Sequence, residues 1–168
     1  GGAGVVPWQV AKESAGPDIE AMVTRLAARL KQQPDDARGW ALYARSLTGL
    51  GRFAEAVTAF RRAIALDGAN VELNSRYAEA LIFASDGTVT PAALKAIETT
   101  LALDSGEPRA RYYLGLADSQ AGRRDEALER WLALAAESAA DAPWLPALQQ
   151  RIAKLAGEMG RASCRERV

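Results

Sequence analysis

Gly51-Arg52-Phe53-Ala54-Glu55-Ala56-Val57 recurs 71 residues later as Gly122-Arg123-Arg124-Asp125-Glu126-Ala127-Leu128, and a large aromatic follows each copy at the same offset, Phe60 and Trp131. Two partial copies lie between them. Ile64-Ala65-Leu66-Asp67 returns as Leu101-Ala102-Leu103-Asp104 after 37 residues, and Tyr43-Ala44-Arg45-Ser46-Leu47 as Tyr77-Ala78-Glu79-Ala80-Leu81 after 34. Self-similarity at this period is the mark of stacked helical hairpins, each too small to bury its apolar face alone. Such stacks present long surfaces to other chains, so binding is the expectation and catalysis is not.

Composition narrows the function further. Basic and acidic residues balance at 21 each, and the last eight residues hold three Arg and one Glu, which leaves 18 basic against 20 acidic in the body. A slightly negative body lacks the footprint that phosphate backbones require, so no nucleic acid partner is expected. Histidine is absent. That removes the usual general base, zinc ligand and axial haem ligand, and neither a metal nor a cofactor is expected. The single cysteine, Cys164, excludes an intrachain disulfide. No apolar run reaches the roughly 18 residues that a spanning helix needs. The chain opens on Gly1-Gly2-Ala3-Gly4 without Met or a signal peptide, and reads as a piece of something longer.

Along the chain, residues 1–17 carry no helical period and read as a linker, with Trp8 disordered or docked on the body. From Asp18, the apolar residues Ile19, Met22, Val23, Leu26, Ala27 and Leu30 form one helix face until Pro34 stops it. Asp35 and Asp36 offer the next N-cap. Helices are predicted over about 37–48, 53–66, 71–84, 91–103, 108–120 and 125–136. Thr90 caps the fourth of these, ahead of Pro91 at its first position. Asp141-Ala142-Pro143 opens a last helix with Leu145, Leu148, Ile152 and Leu155 inward. Nothing alternates with period two, so the fold class is all-α. Gly51 and Gly122 suit turns of positive φ. Ala44, Ala56, Ala63, Ala78, Gly115 and Ala127 are small where helices approach, and Trp40, Phe60 and Trp131 fill the space between hairpins.

These residues resemble the tetratricopeptide repeat, W-x2-L-G-x2-Y followed by A-x3-F. Trp40, Leu47, Gly51, Ala56, Phe60 and Ala63 follow one copy; Leu114, Gly115, Gly122, Ala127 and Trp131 follow another. The middle copy matches through Tyr77, Ala78 and Leu81, with three extra residues around 85–91, and Gly68 and Ser105 stand where Pro is usual. The resemblance implies a superhelix of three hairpins, at about 37–70, 71–107 and 108–140. A lone helix precedes them and a capping helix follows, for a domain over 18–160 and an appended, vector-derived tail over 161–168 that breaks the helical pattern.

A narrower resemblance rests on Gln33-Pro34-Asp35-Asp36, on the long turn Asp86-Gly87-Thr88-Val89-Thr90-Pro91, and on Pro108-Arg109-Ala110-Arg111-Tyr112-Tyr113-Leu114-Gly115-Leu116-Ala117 with Trp131 and Ala142-Pro143-Trp144. Over roughly 18–158 the chain is similar to the soluble domain of CycH/CcmI-type cytochrome c maturation proteins and their nitrite-reductase-maturation relatives. That resemblance implies a periplasmic domain of a membrane-anchored protein, touching the membrane only through a part not in this sequence. It also implies a non-catalytic chaperone that captures the C-terminal segment of an apocytochrome c and presents it to components of the haem lyase complex.

In a tetratricopeptide stack the first helix of each hairpin lines the groove. Positions 2, 5, 6, 9 and 12 give Arg38, Ala41, Leu42, Arg45 and Thr48; then Glu72, Ser75, Arg76, Glu79 and Ile82; then Arg109, Tyr112, Tyr113, Leu116 and Ser119. Arg and Tyr are frequent interface anchors, supplying area with a polar tip. Tyr112 is expected to be exposed and Tyr113 partly packed. Arg45, Arg76 and Arg109 hold positions related to the carboxylate clamp of chaperone-binding tetratricopeptide domains, yet Ala41 and Tyr113 occupy its Lys and Asn positions, so the full clamp is absent. These arginines either meet a carboxylate of the bound segment or pair with Glu72 and Glu79 on a solvated face. A generic protein-interaction scaffold is the alternative reading; the acidic pair Asp125-Glu126 suits a helix N-terminus and needs no catalytic explanation.

Overall fold

Pro34 ends one helix and Asp36 starts the next. In the computed structural model, which describes residues 17–167, α1 spans Pro17–Gln32 and α2 spans Ala37–Gly49. They are followed by α3 (Phe53–Leu66), α4 (Val71–Ala84), α5 (Pro91–Leu103), α6 (Pro108–Gln120), α7 (Arg124–Glu137) and α8 (Leu145–Arg165), with no strand among the described residues. The expectations placed on residues 1–16, Trp8 included, lie outside the described residues.

Short polar side chains set the helix starts. Asp36 accepts from the Gly39 amide at 2.9 Å, Asn70 from Leu73 at 3.1 Å, and Thr90 from Ala93 at 3.2 Å. Each such cap contributes about 1 kcal/mol by satisfying an amide that lacks an intrahelical partner. The turns are set by backbone freedom. Gly51 and Gly122 take φ of 75° and 82°, and the lengthened middle turn uses Asp86 and Gly87 at 52° and 90°. Asp tolerates this left-handed region better than most side chains.

The described residues divide into two compact units, 17–107 and 108–167. In the first, α1 packs on α2, α2 on α3, α3 on α4 and α4 on α5. Val23, Leu26 and Leu30 form the inward face of α1, and Ala44, Leu47, Phe60 and Ala63 are buried in the first hairpin. Gly39 is where α1 comes close, since a Cβ there would stand 2.9 Å from Leu30 Cδ2. Arg52 ties this end together, forking onto Glu55 at 2.6 and 2.7 Å and reaching Glu20 of α1 at 3.4 Å. The paired guanidinium holds the Glu55 carboxyl below its usual range.

Trp40 departs from the expected core role. It is half-buried, its indole N–H donates to the Pro34 carbonyl at 2.9 Å, and the Arg62 guanidinium lies 5.1 Å from its ring centroid. Two polar interactions fix it at the α1–α2 junction, with one face left to a cation.

In the second unit, α6 and α7 form a hairpin and α8 packs on α7. The Trp131 indole lies against the Gly115 backbone so closely that a Cβ at 115 would overlap its ring. That indole donates to the Tyr112 carbonyl at 2.9 Å. Farther along α6, the Asp118 carboxylate, 4% exposed, accepts from Arg123 at 2.8 Å and from Arg130 of α7 at 2.7 Å. On α8, Leu148 and Leu155 are buried as expected. The helix starts at Leu145, after Asp141-Ala142-Pro143, and continues to Arg165. The tail therefore does not break the helical pattern where expected; Ala162, Ser163 and Cys164 contain no breaker, and Arg167 folds back to donate to the Ser163 carbonyl at 3.3 Å.

Gly115→Ala should lower stability by about 2 kcal/mol in urea denaturation, because the added methyl has only the Trp131 ring to displace. Asp118→Ala should cost about 1–2 kcal/mol, since it removes the carboxylate that ties α6 to Arg123 and Arg130 while leaving those exposed guanidinium groups to water. Unchanged midpoints would contradict these assignments.

Candidate peptide-binding site

On α2 the apolar side is spent on packing, with Ala44 and Leu47 fully buried. The opposite side carries Arg38, Ala41, Leu42, Arg45 and Thr48, which helical geometry sets on one face. Arg38 and Arg45 are exposed, and Leu42 between them is 48% exposed, high for a large apolar side chain. Neither arginine forms an ion pair among the described residues, while neighbouring cations do: Arg29 with Asp36 at 3.2 Å, Arg52 with Glu55, and Arg76 with Glu72 at 2.8 Å. Arg61 donates to the Tyr77 hydroxyl at 3.0 Å.

The corresponding face of α4 is mostly closed. Arg76 is half-buried against Glu72, whereas Ser75, Glu79 and Ile82 are buried, Glu79 at 6% and Ile82 at 1% exposure. α4 lies between α3 and α5, which leaves little of its circumference uncovered. Glu79 and Ile82 thus contribute packing where an open groove wall was expected, and Arg76 takes the predicted ion pair with Glu72.

On α6, taken by itself, Arg109 is half-buried, and Leu116 is buried at 9%. Tyr112 and Tyr113 are both at 0%, which overturns the expectation of an exposed Tyr112. The cause is the Trp131 indole, on which the Tyr112 ring stacks at 5.5 Å between centroids and 14° between planes. Tyr113 meets Tyr112 edge-on at 5.1 Å. Burial pushes the Tyr112 hydroxyl up to about 12, against the opposing influence of Arg151.

A feature without a counterpart in the repeat pattern is a shallow cleft of about 410 Å³ between α1 and the first hairpin, lined among others by Val23, Ala27, Lys31, Tyr43 and Arg52. Most of its lining comes from α1, a helix outside the repeats, so repeat register could not point to it. Among the described residues, no cluster of three or more His, Cys, Asp or Glu could hold a metal, and no helix is long and apolar enough to cross a membrane.

Comparison with known proteins gives these helices a family. The family described as "Cytochrome c-type biogenesis protein H TPR domain" matches residues 9–154. Cytochrome c-type biogenesis protein CycH of Bradyrhizobium diazoefficiens is 40% identical over 139 residues, 83% of this chain and 38% of that protein. Its counterpart in Rhizobium meliloti is 40% identical over 141 residues, 84% of this chain and 37% of that protein. The chain thus spans little more than a third of the length of these curated relatives. A crystal structure of MamA superposes with a TM-score of 0.65 at 16% identity, covering 93% of this chain and 98% of that one, and so shares the fold.

The raised Tyr112 hydroxyl has a measurable consequence. Its folded value lies above the ordinary one near 10, so the stability it contributes is complete below pH 10 and is lost as pH rises toward 12. Ultraviolet titration should show a tyrosine component ionising near pH 12, and Tyr112→Phe should abolish that component. Absence of a late component that depends on Tyr112 would contradict the buried stack.

Proposed function

The chain belongs to the cytochrome c-type biogenesis protein H TPR domain family, and from that premise we propose that it captures the C-terminal segment of an apocytochrome c and presents it to the haem-ligation machinery. The observation that carries the reading is the uncommitted face of α2. Two arginines without an ion-pair partner among the described residues flank an exposed leucine on its outward side. Such a face suits a peptide with apolar and acidic character, since hydrogen bonds between guanidinium and carboxylate are the strong kind.

The domain acts as a holder and leaves chemistry to its partners: with no histidine in the sequence, it supplies neither a haem ligand nor a general base of the usual kind. It works in the periplasm, beside the haem lyase components, carried by the membrane-anchored remainder of a longer protein. Arg38 and Arg45 make the primary contacts, with Arg76 as a half-buried flanking cation in the same unit. Glu79 and Ile82 pack α4 within that unit, whereas Tyr112, Tyr113 and Leu116 pack α6 within the other.

Calorimetric titration with peptides from an apocytochrome c tests the reading. A peptide of the C-terminal helix should bind and one containing the haem-attachment cysteines should not. Arg45→Ala should weaken binding about two- to fivefold, the effect of losing one solvent-exposed ion pair. Equal binding of both peptides would favour a generic interaction scaffold, and binding of neither would remove the proposed client.

A further inference from the structure

Arg38 and Arg45 lie seven residues apart on α2, two turns of helix, so their Cα atoms are about 10 Å apart along one face. Ala41 and Leu42 lie between them, one short and one long. The pattern is therefore cation, small-plus-large apolar step, cation. Their isolation gives it meaning. Within residues 17–107, Arg29, Arg52 and Arg76 have carboxylate partners, and Arg61 and Arg62 lie on aromatic rings. Arg25, on α1, is the other arginine there without such a partner among the described residues.

The conformation of the ligand follows from what α2 offers. All its central backbone groups are bonded within the helix, so it has no row of amides and carbonyls with which to pair an extended strand. An extended ligand would leave its own backbone groups facing Ala41 and Leu42 unpaired. A helical ligand satisfies its backbone internally, and the Ala41–Leu42 step gives a ridge of its side chains a groove to enter.

We infer that α2 selects an amphipathic helix carrying two carboxylates seven residues apart, on either side of an apolar residue that packs against Leu42. This rests on the peptide-capture reading and specifies its recognition rule. The ligand's mirror-image pattern places one carboxylate over each arginine while its central apolar residue covers the exposed Leu42. Because both arginines are solvent-exposed, each pair is modest by itself and salt-sensitive, and selectivity comes from satisfying both at the correct spacing.

The test uses helical peptides of one length, free of any cytochrome sequence. One carries Glu at positions i and i+7 around Leu at i+3 and i+4; a second moves the later Glu to i+5, off that face; a third has Lys in place of both Glu. The unmodified chain should bind the first about two- to fivefold more tightly than the second and at least tenfold more tightly than the third, with the advantage shrinking as salt is raised. Arg38→Glu combined with Arg45→Glu should invert the preference toward the Lys peptide, and its circular dichroism should match the parent because both sites are exposed. Equal binding of the first two peptides, absence of inversion, or no binding of any peptide overturns the rule. Two further outcomes separate this inference from the client assignment. An apocytochrome C-terminal peptide that binds the reversed variant as well as the parent sinks the rule and leaves the client standing. Designed peptides that obey the rule while no apocytochrome segment binds sink the client and leave the rule.

Discussion

Two helices of a hairpin approach closely where one presents almost nothing and the other presents a ring. Gly115 and Trp131 are that pair in the third hairpin, with the indole lying where any Cβ would stand. The consequences extend along α6. Once the indole is seated, its N–H reaches the Tyr112 carbonyl and its face takes the Tyr112 ring, which in turn orients Tyr113. Two tyrosines that could have served a ligand are thereby committed to the interior. Burying rings of this size contributes roughly 2–3 kcal/mol each, more than a surface contact with a transient partner would return.

Charge is distributed by the same economy. The arginine in each copy of the repeated phrase does local work: Arg52 forks onto Glu55 and reaches Glu20, while Arg123 shares Asp118 with Arg130. These pairs brace the turn where a hairpin reverses, and the buried Asp118 makes its pair costly to break. Arg38 and Arg45 have no such partner among the described residues. The contrast between braced and idle guanidinium groups separates scaffold from candidate site here better than exposure does, because Arg123 and Arg130 are also exposed.

Helix boundaries were legible because caps, prolines and turn glycines are local signals. Asp36, Thr90-Pro91, Gly51 and Gly122 act within four residues of themselves and behave as their types dictate. The candidate site was legible only on α2. Repeat register put Arg38, Leu42 and Arg45 on an exposed face, but most of the same positions on α4 and α6 are covered, and coverage depends on neighbours distant in sequence. Tyr112 shows the limit: its spacing is that of a groove residue, and only the position of Trp131, 19 residues away, makes it core. Trp40 errs in the opposite direction, since the motif position suggests core while Pro34 and Arg62 give its indole polar company at the surface. Continuation of α8 to Arg165 was missed because helix propensity without an apolar stripe leaves no periodic trace.

Within each unit, every main packing partner of a helix is its neighbour along the chain: α1 on α2, α2 on α3, α3 on α4, α4 on α5, and likewise α6 on α7 and α7 on α8. Closing these contacts requires only short loops, whose entropic cost is small, and folds built this way reach the native state rapidly. A chain with such wiring need not wait for its end before its beginning settles. As the chain lengthens, each helix can pack on the one before it, and the Arg38–Arg45 face takes shape with the unit of residues 17–107.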